Sequence, residues 1–409
     1  MLDHYFKYPK VLRRLRAGGI GEDLDCIAAY LFDNGYQHAA AKTYLGRLGR
    51  FSEFVSGMAR GRRICQSVID TFVAERTTEV SRVATRTAIA LARRIVPERF
   101  APRGEAHNPH APLLESYSDY MRNVRGLEAR TREGQLLVAG RVLVWWDRHH
   151  AGKPLAAMTG EHVLTLVEHM MSRSAKLNTR AAIGSNVRRF LRFLYWADLN
   201  GSDLAHLVPR TPSYRLAHLP RQLAWESVRM AIDAVDATTP TGSRDRAILL
   251  LLATTGIRNK ELRSLVLDDI RWRDAEMRIR YTKGRRDRTV PLMQEAGEAL
   301  ADYVRYARPD CVSRRVFLVH VPPVRPIETG ATVARIVRLA LQRVGVALDG
   351  PVGAHLIRHS LATRLVSQRT PINQVADLLG HRSIDTTAIY VKVAVPQLGE
   401  LALPFPGGA

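Results

Sequence analysis

The sequence predicts a mainly α-helical protein with a small β-sheet. Apolar residues recur at helical spacing through residues 22–96, and a second helical block extends from about residue 113 to 207. The apolar stretch 247–255 predicts another helix. Gly256 would end that helix, because glycine readily adopts the left-handed backbone found at helix C-termini.

The β-sheet signal lies within residues 277–292. Apolar and basic residues alternate over 277–281, a Lys-Gly-Arg-Arg-Asp-Arg turn follows, and a short apolar pattern resumes at 289–292. This arrangement is typical of a β-hairpin. Helical spacing returns after it, so the sequence predicts a small sheet within a mostly helical domain.

Two proline-containing segments divide the chain. Residues 97–112 and 208–221 have the composition of linkers, and the second also holds three arginines. We therefore expect a helical N-terminal region over 1–100, a second helical domain over 110–207, a basic linker over 208–221, a mixed α/β domain over 222–395 and a tail over 396–409.

The charge balance indicates a polyanionic partner. The chain has 61 basic residues against 39 acidic ones, a formal net charge of +22. Only eight of the basic residues are lysines, and the arginine guanidinium favours bidentate contacts with phosphate. GC-rich coding DNA would explain the preference for arginine over lysine, but not the excess of base over acid.

The cysteines and the apolar segments bear on the compartment. Cys26, Cys65 and Cys311 are far apart, which predicts neither a disulfide framework nor a zinc site and fits a reducing compartment. The first residues lack the apolar run of a signal peptide, and the apolar stretch 247–253 is too short to span a bilayer. We expect a cytoplasmic, nucleoid-associated protein without membrane contact.

Several polar residues of the C-terminal half have the chemistry needed to break a phosphodiester. Arg258 and Arg358 are suited to clamp the non-bridging oxygens, because a guanidinium is a planar fork of donors. Tyr390, nine positions after His381, is the candidate nucleophile, since its hydroxyl can form a covalent ester with phosphorus.

Further residues complete this scheme. His355 would accept the tyrosine proton, His381 would donate to a phosphate oxygen, and Lys283 would protonate the departing 5′ oxygen. Glu261 follows Arg258 by three positions and would orient it. The scheme needs no metal ion and no cofactor.

Taken singly, each of these residues has a simpler explanation. A His-x-x-Arg pair is common on solvated helix faces, Glu261 could pair with any neighbouring arginine, and Tyr390 could be a core tyrosine. The set is nevertheless ordered consistently from residue 258 to residue 390, and together it favours catalysis.

Two groups of arginines are predicted to contact DNA. One group interleaves with apolar residues on the predicted helix 186–197, a pattern that by itself also fits a core helix with a solvated basic face. The other group follows Lys283 in the basic turn. The six residues are Arg188, Arg189, Arg192, Arg285, Arg286 and Arg288.

About residues 222–395, the chain resembles the tyrosine recombinases, also called the phage integrase family. Residues 254–262 look like the first arginine box of that family, and 281–285 look like its β-turn lysine segment. Residues 355–363 and 379–390 look like its second box. The block 117–196 is similar to the SAM-like core-binding domain of the family.

The resemblance implies a helical SAM-like core-binding domain and a mixed α/β catalytic domain that grip double-stranded DNA from two sides. It also implies a 3′-phosphotyrosyl intermediate, a freed 5′ hydroxyl and strand exchange within a tetramer of identical or sibling recombinases. The catalytic positions of the family fall on Arg258, Lys283, His355, Arg358, His381 and Tyr390, with Glu261 as the accessory acid.

One departure concerns the N-terminal region. Phage integrases often begin with a small β-rich arm-binding domain, whereas residues 22–96 are predicted to be helical. The layout is closer to the recombinases of transposons and other mobile elements. The sequence therefore predicts a site-specific integrase or recombinase of a mobile element.

Two other function classes stay open. A type IB topoisomerase uses a very similar site but relaxes supercoils without a defined DNA site or a tetramer, and the short tail argues against it. A DNA-binding accessory recombinase would do no chemistry, and the complete set of catalytic residue types argues against that reading.

A sulfur-substituted substrate tests the predicted role of Lys283. A thiolate leaves readily without protonation, so sulfur at the 5′-bridging position should largely restore cleavage by Lys283→Ala. Arg258→Ala should gain no comparable rescue, because it lacks a phosphate clamp rather than an acid. Cleavage rates on oxygen and sulfur substrates measure the effect. Equal rescue of both variants, or none for the lysine variant, would assign Lys283 to DNA binding.

Overall fold

The structure is a computed structural model of the 409-residue chain. It describes residues 1–57, 63–101, 109–172, 177–211, 221–280, 287–381, 383 and 385–391. These residues are mainly helical with small antiparallel sheets, which confirms the predicted fold class. The chain divides into two compact units, one made of residues 1–100 and the part from 218 on, the other of 101–217. The finer domain boundaries stay predictions.

The N-terminal helices surround an apolar core. Leu24, Ile27 and Leu31 of one helix meet Leu48 and Phe51 of the next, and all five side chains are fully buried. The helical pattern predicted over 22–96 is confirmed. The helices are α1 (Leu2–Tyr5), α2 (Pro9–Ala17), α3 (Leu24–Asp33), α4 (His38–Phe54), α5 (Gln66–Ala74) and α6 (Glu79–Ile95).

The second unit is a helical bundle with an aromatic core. Tyr117, Trp146, Phe190 and Phe193 are buried there, and the Tyr117 hydroxyl donates to the side chain of Gln135 at 3.0 Å. The predicted helix 186–197 is the second half of a longer one. The helices are α7 (Ala111–Asp119), α8 (Ala129–His149), α9 (Gly160–Ser172) and α10 (Leu177–Trp196).

The C-terminal part combines helices with two small sheets. The helices are α11 (Trp225–Asp233), α12 (Pro240–Thr255), α13 (Asn259–Ser264), α14 (Gln294–Asp302), α15 (Gly330–Arg343), α16 (Ala354–Ser367), α17 (Ile372–Leu379) and α18 (Asp385–Val391). The strands are β1 (Ile270–Arg271), β2 (Glu276–Ile279), β3 (Arg288–Pro291), β4 (Leu318–Val319) and β5 (Arg325–Pro326).

Helix α12 passes through the core of this part. The Thr239 side chain accepts from the Gly242 N–H at 3.1 Å and caps its first turn, where Pro240 fits because that position needs no N–H donor. The residues from 247 to 253 are all buried. Gly256 ends the helix with φ +58°, which confirms the predicted C-cap.

The predicted β-hairpin is confirmed by its strands. Strands β2 and β3 pair antiparallel with Met277 opposite Val290, and β1 adds a third strand beside β2. Both side chains of the central pair are buried against the core. Residues 281–286, which include most of the basic turn between them, lie outside the described residues.

The last three helices share a small apolar cluster. Ala362 and Val366 of α16 pack with Val375 and Leu379 of α17, and Tyr390 of α18 completes the cluster. This packing places the predicted nucleophile against the helix that carries Arg358. Within the described residues, we find no helix with the length and apolar character that a membrane span requires.

Candidate active site

Arg358 is a buried cation held by two backbone carbonyls. Its Nη1 donates to the carbonyl of Gly256, and its Nη2 donates to that of Leu379 at 2.6 Å. These carbonyls lie at the C-terminal ends of α12 and α17, where the helix dipole is negative and stabilises a cation. Burial, followed by the charge of Arg258, lowers the pKa of Arg358 to about 10. The guanidinium therefore stays charged at neutral pH.

Arg258 is fixed by a carboxylate and a carbonyl. Its Nη1 donates to Glu261 Oε1 at 2.9 Å and its Nη2 to the carbonyl of Gly380 at 2.8 Å. Glu261 also accepts from the Arg258 backbone N–H at 3.0 Å, because Arg258 is the N-cap of α13 and Glu261 its third residue. The contact expected from their spacing is present.

Glu261 joins a further arginine to the site. Arg288, at the start of β3, donates to both carboxylate oxygens at 3.2 and 3.0 Å. Burial alone would raise the pKa of Glu261, but the charge of Arg288 and hydrogen bonds from both arginines lower it. With Arg258 and Arg358, these groups carry more positive than negative charge, which suits an anionic ligand.

Arg288 is largely buried, and its predicted contact with DNA stays a prediction. Its side chain is 14% exposed, both of its terminal nitrogens bind Glu261, and its Nε is buried without a partner among the described residues. The side chain of Arg288 lies on the same face of β3 as the buried Val290. It therefore holds Glu261 in position and presents little charge to solvent.

Tyr390 is buried and its hydroxyl meets a histidine. The hydroxyl lies 2.7 Å from His359 Nδ1, and 2% of the residue is exposed. Burial raises the pKa of Tyr390, while Arg358 and Arg258 oppose this rise. Burial, then His355 and Arg358, lowers the pKa of His359 to about 4. The pair is therefore neutral at pH 7, and the ring nitrogen can accept the phenolic proton.

The sequence-based assignment gave this position to His355, and the structure places His359 there. His355 lies one turn earlier on α16, and its ring centroid is 6.2 Å from that of His359. It is exposed to solvent, and partial burial, then the charges of Arg358 and Arg258, lowers its pKa. Because the two histidines are four residues apart, the sequence places both on one face of a helix, and this spacing makes His359 an equal candidate for the contact with Tyr390.

His381 follows the left-handed residue that ends α17. Its Nδ1 lies 2.8 Å from the Oγ1 of Thr387, a fully buried residue of α18. Its ring stacks on that of Tyr390 with centroids 6.4 Å apart. Burial, then Arg358, Arg258, His359 and Arg288, lowers the pKa of His381 to about 4. At neutral pH it is a neutral imidazole that can donate from one ring nitrogen only.

The remaining predicted residues belong to the second unit or lie outside the described residues. Arg188 donates to the carbonyls of Val208 and Pro209 at 2.9 and 3.3 Å, so this guanidinium has backbone partners within its own unit. Arg189 and Arg192 are exposed on α10, as a DNA-facing pair would be. The other three predicted residues, Lys283, Arg285 and Arg286, lie outside the described residues.

Several known proteins are similar to this chain in sequence. Residues 221–396 match the phage integrase family. An integrase/recombinase of Sinorhizobium fredii, y4rF, is 56% identical over 412 residues, which cover 100% of this chain and 97% of that protein. The tyrosine recombinase XerD of Vibrio vulnificus is 27% identical over 70% of this chain and 93% of its own length.

A solved structure agrees with this assignment at the level of the fold. The Tn1549 transposon integrase, in complex with a circular intermediate DNA, superposes with a TM-score of 0.51 at 15% identity, over 71% of this chain and 99% of that one. The chain therefore belongs to the phage integrase family and is a tyrosine-type site-specific recombinase.

A substitution of Gly380 tests whether the arginine cluster requires the close approach of the backbone at this residue. An added Cβ would lie 2.4 Å from Arg288 Nη1, and φ is +63°. Gly380→Ala should lose roughly 1–2 kcal/mol of unfolding free energy from the backbone conformation and should also slow DNA cleavage, because Arg288 and Glu261 must shift.

The matched control is Gly345→Ala. Gly345 has φ +71° but no atom within 4 Å of an added Cβ. This variant should lose similar stability in chemical denaturation and keep its cleavage rate. Equal cleavage by the two variants would show that the space beside Gly380 is not critical.

Proposed function

We propose that this recombinase cuts and rejoins DNA through a 3′-phosphotyrosine formed on Tyr390, in the service of a transposon or other mobile element. One observation carries the chemistry. The Tyr390 hydroxyl is hydrogen-bonded to His359, the residue that follows the buried cation Arg358 on α16. A nucleophile, a proton acceptor and a phosphate-binding charge are thus adjacent on packed helices.

Arg258 and Arg358 would bind the scissile phosphate. Carbonyls of residues 256, 379 and 380 and the Glu261 carboxylate fix their orientation. Each guanidinium has five N–H groups, so those not used in these contacts remain for the phosphate oxygens. Because the donors are already in place, the charge that develops on phosphorus is stabilised without reorganising the site.

The cleavage step balances with the groups present in the chain. The Tyr390 oxygen forms a bond to phosphorus while the bond from phosphorus to the 5′ oxygen breaks. The phenolic proton becomes strongly acidic as its oxygen bonds to phosphorus, so the weakly basic His359 can take it. His381 and His355 donate to the non-bridging oxygens, and Lys283 protonates the departing 5′ oxygen. Attack by a 5′ hydroxyl on the phosphotyrosine reverses these transfers.

The relatives support the role in a mobile element. The Tn1549 integrase belongs to a transposon and is bound to a circular intermediate DNA, and y4rF is named as an integrase/recombinase. The net charge of +22 agrees with a double-stranded DNA partner. We propose action on paired DNA sites as a tetramer of this chain, alone or with sibling recombinases, without a cofactor.

Replacing the nucleophile tests this proposal. Tyr390→Phe keeps the buried ring but removes the attacking oxygen, so it should bind a nicked suicide duplex made from the element ends and form no covalent adduct. Tyr306→Phe, at a 73% exposed position, is the control and should form the adduct normally. Denaturing gels measure the adduct. An adduct with the Tyr390 variant would refute the assignment, and supercoil relaxation without strand exchange between two sites would indicate a topoisomerase.

Two substitutions at His359 separate proton acceptance from packing. His359→Leu should slow adduct formation by roughly 100-fold or more, as loss of a general base does. His359→Asn places an amide oxygen near the Nδ1 position, so it should keep the hydrogen bond and regain only part of the rate.

His320 provides the control because its ring also faces a buried tyrosine hydroxyl, that of Tyr303 at 3.4 Å. His320→Leu should alter stability but leave the cleavage chemistry intact once folded. A His359→Leu variant that cleaves as fast as the parent protein would remove His359 from the mechanism.

A further inference from the structure

The Thr387 hydroxyl touches a ring nitrogen of His381 and has no part in the steps above. Thr387 is fully buried in α18, and its Oγ1 lies 2.8 Å from His381 Nδ1. It precedes Tyr390 by three residues, so the two side chains lie on the same face of the helix. An apolar side chain of the same size would pack equally well at this buried position. The hydroxyl of Thr387 is therefore best explained by its contact with His381.

The hydrogen bond can have either of two polarities. If the hydroxyl donates to Nδ1, the imidazole proton is on Nε2, and Nε2 can donate to a phosphate oxygen. If Nδ1 donates to the hydroxyl, Nε2 carries a lone pair, which would repel the phosphate. A hydroxyl can fill either role, whereas the neutral ring has one donor and one acceptor.

We propose that Thr387 donates to Nδ1 of His381 and thereby selects the tautomer whose Nε2–H binds the scissile phosphate. Thr387 is a positioning residue, since it acts through His381. The inference rests on the proposed function, in which His381 donates to a phosphate oxygen.

Two features of the site favour this assignment. Partial burial of the ring, then the charges of Arg358, Arg258, His359 and Arg288, lowers the pKa of His381 to about 4, which disfavours an imidazolium with two donors. A neutral ring must therefore have the correct tautomer to donate at all. Thr387 also shares α18 with Tyr390, whose ring stacks on His381, so the seated nucleophile helix brings this hydroxyl into place.

The tautomer can be read directly in the full-length protein. With ¹⁵N-labelled histidine, long-range ¹⁵N–¹H spectra distinguish a protonated ring nitrogen from a bare one, and His381→Asn identifies the signals. We expect a bare Nδ1 and a protonated Nε2 in the parent protein, in Thr387→Ser and in the control Thr386→Val, whose site is the exposed neighbouring threonine. Thr387→Val should show a mixed or reversed tautomer.

Cleavage of the nicked suicide duplex gives the second measurement. Thr387→Val should form the adduct roughly 10- to 100-fold more slowly, because a phosphate donor is misdirected in part of the population. Thr387→Ser should recover most of the rate, and Thr386→Val should match the parent protein. Serine rescue also separates the hydroxyl from the methyl group if the valine variant folds poorly.

The outcomes distinguish this inference from the proposed function. A protonated Nδ1 in the parent protein, a doubly protonated His381 with DNA bound at pH 7, or an unchanged tautomer in Thr387→Val would overturn the role of Thr387. A parent protein that never forms the adduct would instead refute the proposed cleavage, whatever the spectra of His381 show.

Discussion

The burial of Arg358 on the carbonyl ends of two helices is the interaction on which the rest of the site depends. An unpaired buried cation is costly, and here the C-terminal ends of α12 and α17 supply its acceptors. Both helices must therefore end at this point with their carbonyls directed inwards. Left-handed glycines at 256 and 380 allow these sharp ends, since a Cβ at either place would lie within 2.5 Å of a neighbouring side chain.

Burial and the nearby positive charge keep the histidines of the site neutral at pH 7. Burial disfavours the imidazolium of His355, His359 and His381 and lowers the pKa of each, and the charge of Arg358 adds to this effect at all three. Arg258 acts in the same direction on His355 and His381. Neutral imidazoles act through single hydrogen bonds, so the position of each proton matters as much as the position of each ring. A phosphate brings the negative charge that this group of residues lacks.

Spacing along the sequence predicts those contacts of the site whose residues are close together in the chain. The Arg258–Glu261 pair follows from one turn of helix, and the helix end at Gly256 and the β-hairpin follow from turn chemistry. The carbonyl partner of Arg258 lies 122 residues away, and the two carbonyl partners of Arg358 lie 102 and 21 residues away, so tertiary packing alone specifies them. The inward turn of Arg288 and the choice of His359 over His355 depend on packing in the same way.

The packing of α18 links the nucleophile to its surroundings. This helix of seven residues contributes Tyr390 to the cluster formed by α16 and α17, and its Thr387 reaches His381 just beyond the end of α17. Tyr390 meets α16 through His359. The hydroxyls of Tyr390 and Thr387 therefore depend on the same packing of α18 for their positions, and the proposed roles of both residues require this helix to be packed as it is here.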